Sequence, residues 1–267
     1  MLPTPPSSPV SPLPPGEPAA TTGSTVGEAF AIAPDTYVVP GWWPFPGAGR
    51  GLPLGTLVVR GRATAVVDSA PALLEDDWLA AVLALVDPDE VRWIVATAPD
   101  GVRAGCIGAL HALAPRATVV VPGSGCTQVD LGGGQVVLIH EAPPAPPPDP
   151  VGPCPVPGQL VVEVPERGLL WTDLVGGPLA RPARDVTTVA DDDLVAALAQ
   201  RPRRLVADEV ARTAALGLRV LGSPIGPIAR GAGLDRVLAL AARAEAGRTG
   251  PDPTLAALLD PTIRAPS

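Results

Sequence analysis

The stretch WIVATAPDGVRAG, Trp93 to Gly105, reads as a strand, a tight turn and the approach to a helix. Trp93, Ile94, Val95 and Ala96 form an apolar run of the length of a buried strand. Pro99-Asp100-Gly101 supplies turn chemistry: proline presets φ, aspartate bonds nearby amides, and glycine tolerates strained backbone. From Gly105 onward Ile107, Leu110, Leu113 and Ala114 recur at helical spacing along one side.

The flanking sequence repeats this alternation. Short strands are expected at Ala29 to Ile32, Thr36 to Val39, Thr56 to Arg60 and Ala63 to Asp68. Gly61-Arg62 is expected as a two-residue hairpin turn with glycine at positive φ. GWWPFPGAGRGLPLG, Gly41 to Gly55, reads as a Gly/Pro loop carrying Trp42 and Trp43, which serve as core or loop anchors or as a binding platform. Asp76 to Val86 is expected as a helix, with Trp78, Leu79, Val82 and Leu85 inward and acidic residues at its start. Strands at Thr118 to Val121 and Gln135 to His140 follow. Proline cannot donate to a ladder, so Pro143 to Pro157 is expected as an irregular loop. Gln159 to Glu163 and Gly168 to Asp173 form a hairpin around Pro165-Glu166-Arg167. Helices are expected at Asp191 to Gln200, Leu205 to Leu216 and Leu234 to Ala246, with a strand at Leu218 to Leu221. Such alternation makes a layered α/β fold with mixed sheets.

Composition narrows the function classes. With 267 residues, 46% of them apolar, the chain can bury a sizeable core. Net charge is −8, every basic residue is arginine, and no basic stripe is visible, which argues against a nucleic-acid partner. Cys106, Cys126 and Cys154 form no C-x-x-C pair and no secretory signal is legible, so reduced thiols and a cytoplasmic location are expected. No apolar run approaches the roughly 20 residues of a membrane helix. Residues 1–27, rich in Pro, Ser, Thr and Gly, are expected as a disordered tail, 28–246 as one domain, and 247–267 as a C-terminal tail.

Four segments, in order, resemble the metallo-β-lactamase superfamily in its branch of flavodiiron oxygen reductases and related diiron sensors. Gly55 to Ala70, GTLVVRGRATAVVDSA, is similar to the paired strands that end in a structural aspartate, here Asp68. TAPDGVRAG is similar to the superfamily's Thr-His-x-[His/Glu/Asp]-x-Asp-His-x-Gly loop. GLLWTDLVGG, Gly168 to Gly177, resembles the strand ending in Ser-x-Asp-x-x-Gly, whose aspartate bridges two metals. GSPIGPIAR, Gly222 to Arg230, resembles Pro-Ser-His-Gly-Pro-x-x-Arg. The resemblance implies a four-layer αββα sandwich with two mixed sheets, without the flavodoxin domain of full flavodiiron proteins. It also implies where metal ligands would stand. Ala98 replaces the first histidine, Val102 the aspartate, Arg103 the second histidine and Ile225 the last, which leaves Asp100 and Asp173. Alanine, valine and isoleucine offer no lone pair, and a guanidinium repels a cation. The histidine expected after Ile139 has no counterpart in Pro143 to Pro157. The expectation is therefore no catalytic residue, no cofactor and no metal.

Electrostatics gives two readings of Arg103. Asp100 and Asp173 facing each other without a metal would repel, and a guanidinium between them can bridge both. Alternatively Arg103 turns to solvent while Asp173 caps backbone. The two histidines of the chain are His111, a surface helical residue, and His140, at a strand end or approaching the site's mouth. Ser69, Ser124 and Ser223 have no His-Asp partners, Leu131 to Gly134 reads as a turn, and Asp191-Asp192-Asp193 as a helix start. The leading expectation is a non-catalytic relative that binds a protein or small molecule, and the resemblance allows a homodimer. The alternative is a hydrolase or oxidoreductase built on Asp100, Asp173 and His140.

Overall fold

The computed structural model describes residues 23–45, 47–142, 159–174, 176–199 and 217–247. The first sheet contains β1 (Thr25–Val26), β2 (Phe30–Ala33), β3 (Thr36–Phe45), β4 (Arg50–Val59) and β5 (Thr64–Val67). After helix α1 (Glu75–Leu83) it continues with β6 (Val91–Val95), helix α2 (Ile107–Leu113) and β7 (Thr118–Val120). The second sheet contains β8 (Gln128–Gly132), β9 (Gln135–Ala142), β10 (Gln159–Val164) and β11 (Leu169–Trp171). Helix α3 (Asp191–Ala199), β12 (Val220–Gly222), β13 (Ala229–Arg230) and helix α4 (Ala232–Gly247) complete the described residues.

Both sheets are mixed. The first runs β1-β3-β4-β5-β6-β7, with β2 also paired to β3, and is parallel from β5 to β7. The second runs β13-β12-β11-β10-β9-β8 and is parallel only between β11 and β12. Alternate residues of each strand face opposite sides, and three apolar layers result. Leu57, Val59, Val67 and Val95 meet Val137, Ile139, Val162 and Trp171 between the sheets. Val58, Val66 and Ile94 pack outward on Trp78 and Val82 of α1 and Leu110 of α2. Val161, Leu170 and Leu221 pack on Leu194 of α3 and Val237 and Leu240 of α4. This is the αββα sandwich. No helix of the described residues is long and apolar enough to cross a membrane.

Several expectations are corrected. Gly41 to Gly55 is not a loop: β3 and β4 pair from Thr36↔Val59 to Phe45↔Arg50. The prolines fit because of register. Gly51 bonds outward to Leu179 and Gly55 to Pro224, which makes their partners Pro44 and Pro40 outward-facing positions of the β3–β4 ladder. A missing N–H there costs no rung. Gly61 is not among the positive-φ glycines, and β4 and β5 are joined by a longer connection. Its missing side chain is instead required by β8, because a Cβ would lie 2.9 Å from Leu131. Strand β1 lies within the span expected as tail, since it pairs with Gly41 and Trp42. Strands β8 and β13 were not anticipated. The Pro143 to Pro157 loop, the Leu205 to Leu216 helix, Cys154 and most of both expected tails lie outside the described residues.

Candidate functional site

The site lies where the loops after β5, β6 and β11 converge. Asp68 follows β5 with φ +61°, a left-handed backbone that aspartate tolerates better than most residues. Its carboxyl is buried, 1% exposed. It accepts from Thr97 N and Thr97 Oγ1, both at 2.8 Å, and from Trp171 Nε1 at 2.9 Å. One carboxyl group thereby ties the ends of β5 and β6 to β11 in the opposite sheet. Burial raises its pKa to about 7, against the opposing hydrogen bonds from Trp171 and Thr97 and the charge of Arg103.

The turn from Asp100 to Cys106 is held by local bonds. Asp100 Oδ1 accepts from Val102 N at 3.0 Å and Arg103 N at 2.9 Å, the Asx geometry that aspartate offers a tight turn. Ser69 fixes the far end, donating from N and Oγ to Arg103 O at 2.7 and 3.0 Å and accepting from Cys106 N at 3.1 Å. Gly105 packs so closely that a Cβ would lie 2.7 Å from Ala72 N. That contact explains the last glycine of TAPDGVRAG.

Arg103 turns inward. Its Nε lies 2.7 Å and its Nη2 2.5 Å from Asp100 Oδ2, while Nη1 lies 2.6 Å from Asp173 Oδ2. The guanidinium bridges the two carboxylates, and the solvent-facing alternative is excluded. Burial works to lower the Arg103 pKa, but Asp173 and then Asp100 outweigh it and hold the group above its ordinary value. Asp100 is the wetter partner, with a side chain 40% exposed against 9% for Asp173.

The other expected positions carry no polar side-chain atom. Ala98 is buried and Val102 packs its half-buried side chain on the apolar layer under α1 and α2. Ile225 is half-buried, and its carbonyl accepts from Gly177 N at 2.9 Å beyond Asp173. His140 does not join them. It pairs with Val161 on the face of the second sheet that meets the helices, where its Nε2 lies 2.9 Å from Glu163 Oε2. His111 is an exposed residue of α2. Trp42 is buried against the helix layer of the second sheet and Trp43 is partly buried. Asp191 begins α3 and pairs with Arg236.

Two features of the site escaped the sequence reading. Thr97 and Trp171 are the partners of Asp68, and the available signal was that a buried indole N–H needs an acceptor. Arg167, read only as a turn residue, is 7% exposed. It donates to Thr36 Oγ1 at 2.8 Å, Arg60 O at 2.8 Å and Asp35 O at 3.2 Å. It therefore joins the two sheets at the end of β11 opposite Asp173.

No family model matches the chain, and no curated protein matches it. Solved structures do. A fragment (1–254) of a diflavin flavoprotein A 5 from Nostoc sp. PCC 7120 is 19% identical with a TM-score of 0.66, over 84% of this chain and 97% of that one. The metal-soaked Flv1 flavodiiron core from Synechocystis sp. PCC6803 is 18% identical with a TM-score of 0.66, over 85% of this chain and 62% of that one. Rubredoxin oxygen:oxidoreductase from Desulfovibrio gigas is 16% identical with a TM-score of 0.60, over 82% of this chain and 61% of that one. The chain thus spans about six-tenths of the last two, and nearly all of the Nostoc fragment. Its fold is that of the flavodiiron core, a metallo-β-lactamase-like α/β sandwich.

Proposed function

We propose that this chain is a non-catalytic protein of flavodiiron fold, with a binding or scaffold role, in which an arginine stands where its structural relatives would place a metal. The observation that carries this reading is the Arg103 bridge between Asp100 and Asp173. A diiron group needs several imidazole and carboxylate donors converging on one space. The corresponding side chains here are Ala98, Val102 and Ile225, which offer only C–H, and Arg103, which brings a positive charge into that space. Asp100 already spends both oxygens on the turn and the guanidinium. Among the described residues no group of three His, Cys, Asp or Glu could hold a metal ion. The donors present do not fit the group.

The bridge accounts for the retention of both aspartates. A guanidinium neutralises them as a cation would, with fixed planar geometry and no exchange. The test is elemental analysis of the purified full chain, joined to thermal unfolding with and without Fe(II), Mn(II) and Zn(II). The expected result is far less than one metal per chain and no rise of the midpoint with metal concentration. Stoichiometric metal with a concentration-dependent rise would overturn the reading, because a site present only in the folded state must stabilise it.

A further inference from the structure

The first sheet contains a cavity that the Arg103 site does not use. Strands β1 and β2 both pair with β3 but are separated by Gly27 to Ala29, of which Gly27 N still bonds Pro40 O at 2.8 Å. The loop Pro182 to Arg184 and the segment Gly226 to Ile228 close over this interruption, leaving a half-open cavity of about 280 Å³. Its walls are flat and apolar: Phe30, Pro40, Trp42 and Pro182 line it. Gly27 keeps the space beside Arg184 open, since a Cβ there would meet Pro40 at 3.2 Å and the Arg184 guanidinium at 3.6 Å.

Arg184 gives the cavity its chemistry. Its guanidinium lies over the Phe30 ring, 5.4 Å from the centroid. Among the described residues it has no carboxylate partner, in a chain of net charge −8. The adjacent carboxylate, Asp185, is committed to Arg230 at 3.4 Å and to Thr187 N and Oγ1 at 2.9 Å. Phe30 holds the cation against the cavity wall by its ring face. A guanidinium fork matches the two oxygens of a carboxylate bidentately. The volume lies at the lower bound of ligand pockets, about 300 Å³, room for a single ring rather than a nucleotide.

We propose that this cavity binds a small carboxylate carrying one flat ring, with the ring against Pro40 and Trp42 and the carboxylate on the Arg184 guanidinium. The proposal goes beyond the preceding one and does not depend on it, because no residue is shared with the Arg103 bridge. The probe is benzoate, with benzamide as the neutral molecule of the same shape. Both are titrated into the ¹⁵N-labelled full chain while the Trp42 indole and Arg184 Nε resonances are followed. Benzoate is expected to shift both saturably, and Arg184→Gln, an exposed position, to weaken it about tenfold or more without changing the unfolding midpoint. Benzamide is expected to bind as weakly to the unaltered chain as benzoate does to Arg184→Gln. Equal affinities for the two probes, an unchanged affinity in Arg184→Gln, or no saturable shift at these resonances would each overturn the assignment.

Discussion

Arg103 Nη1 and Asp173 Oδ2 stand 2.6 Å apart across 70 residues of chain. The contact joins the loop after β6 in one sheet to the loop after β11 in the other. Both side chains are about nine-tenths buried, so the pair is desolvated and neither charge has bulk water to fall back on.

Removing one member should therefore cost far more than replacing both. Arg103→Met is expected to lower stability by about 3 kcal/mol, because it removes the buried cation that faces the Asp173 carboxylate. Asp100 adds little to this, since its side chain is 40% exposed. The double variant Arg103→Met/Asp173→Leu should recover most of the loss. Urea unfolding of the three proteins checks both statements, and a double variant no better than the single one would refute the assignment of the cost to the buried Asp173 carboxylate.

Asp68 makes the stability of the fold depend on pH in a defined window. Its carboxyl titrates at about 7 when folded and near 3.8 when exposed. Between those values the folded state holds a proton that the unfolded chain has released, so stability falls as pH rises. The contribution is complete below about pH 3.8 and is lost through pH 7, a span of roughly 4 kcal/mol. Thr97 Oγ1, which donates to the carboxyl at 2.8 Å, and Trp171 Nε1, which donates at 2.9 Å, favour the charged form and limit the rise that burial imposes. Asp68→Asn retains tolerance of the left-handed backbone but cannot ionise. The stability difference between the two proteins should change across pH 4 to 7 in urea titrations, favouring the aspartate at the acid end.

Trp171 is wedged by glycines on two strands. A Cβ at Gly222 would stand 2.4 Å from its Cε3, and one at Gly55 would stand 3.0 Å from its Cη2. The indole cannot retreat without breaking its bond to Asp68. Gly222→Ala is expected to cost about 2–3 kcal/mol through overpacking. Gly101→Ala, with nothing within 4 Å, should change the thermal midpoint little. Similar midpoints for the two variants would show that the wedge is not tight.

The parts of this fold that were legible in the sequence are those where one local rule acted alone. TAPDGVRAG announced its turn because Asp100 and Gly101 carry turn chemistry, and its glycine at 105 proves to be a packing requirement. The αββα layering followed from four segments in order rather than from any one of them. The β3–β4 arms were hidden by Pro40, Pro44 and Pro53, whose compatibility depends on which way each N–H would face in the ladder. That is a property of register, absent from composition. Gln128 to Gly132 alternates, with Val129 and Leu131 buried, but five residues between turns give too short a pattern to stand out. Arg103 could be narrowed to two orientations and no further, since its partner at 173 is brought close only by the stacking of the sheets. Arg167 was invisible for the same reason: its acceptors at 35, 36 and 60 belong to the other sheet.

Arg167 provides the last test, because it clamps the sheets with neutral acceptors where Arg103 uses carboxylates. Burial lowers its pKa below the ordinary arginine value, yet no carboxylate is within ion-pair distance among the described residues. Its contribution comes from charge-assisted hydrogen bonds to the carbonyls of Asp35 and Arg60 and to Thr36 Oγ1. Arg167→Met keeps the apolar stem and is expected to cost about 2–3 kcal/mol. The loss should be local before it is global. Hydrogen exchange should quicken at the β2–β3 turn and at Gly168, where the chain reverses at φ +57°, while amides of the Asp100 turn keep their protection. Equal quickening at both ends would mean that the two arginines hold one cooperative unit, and the picture of two independent clamps would then be wrong.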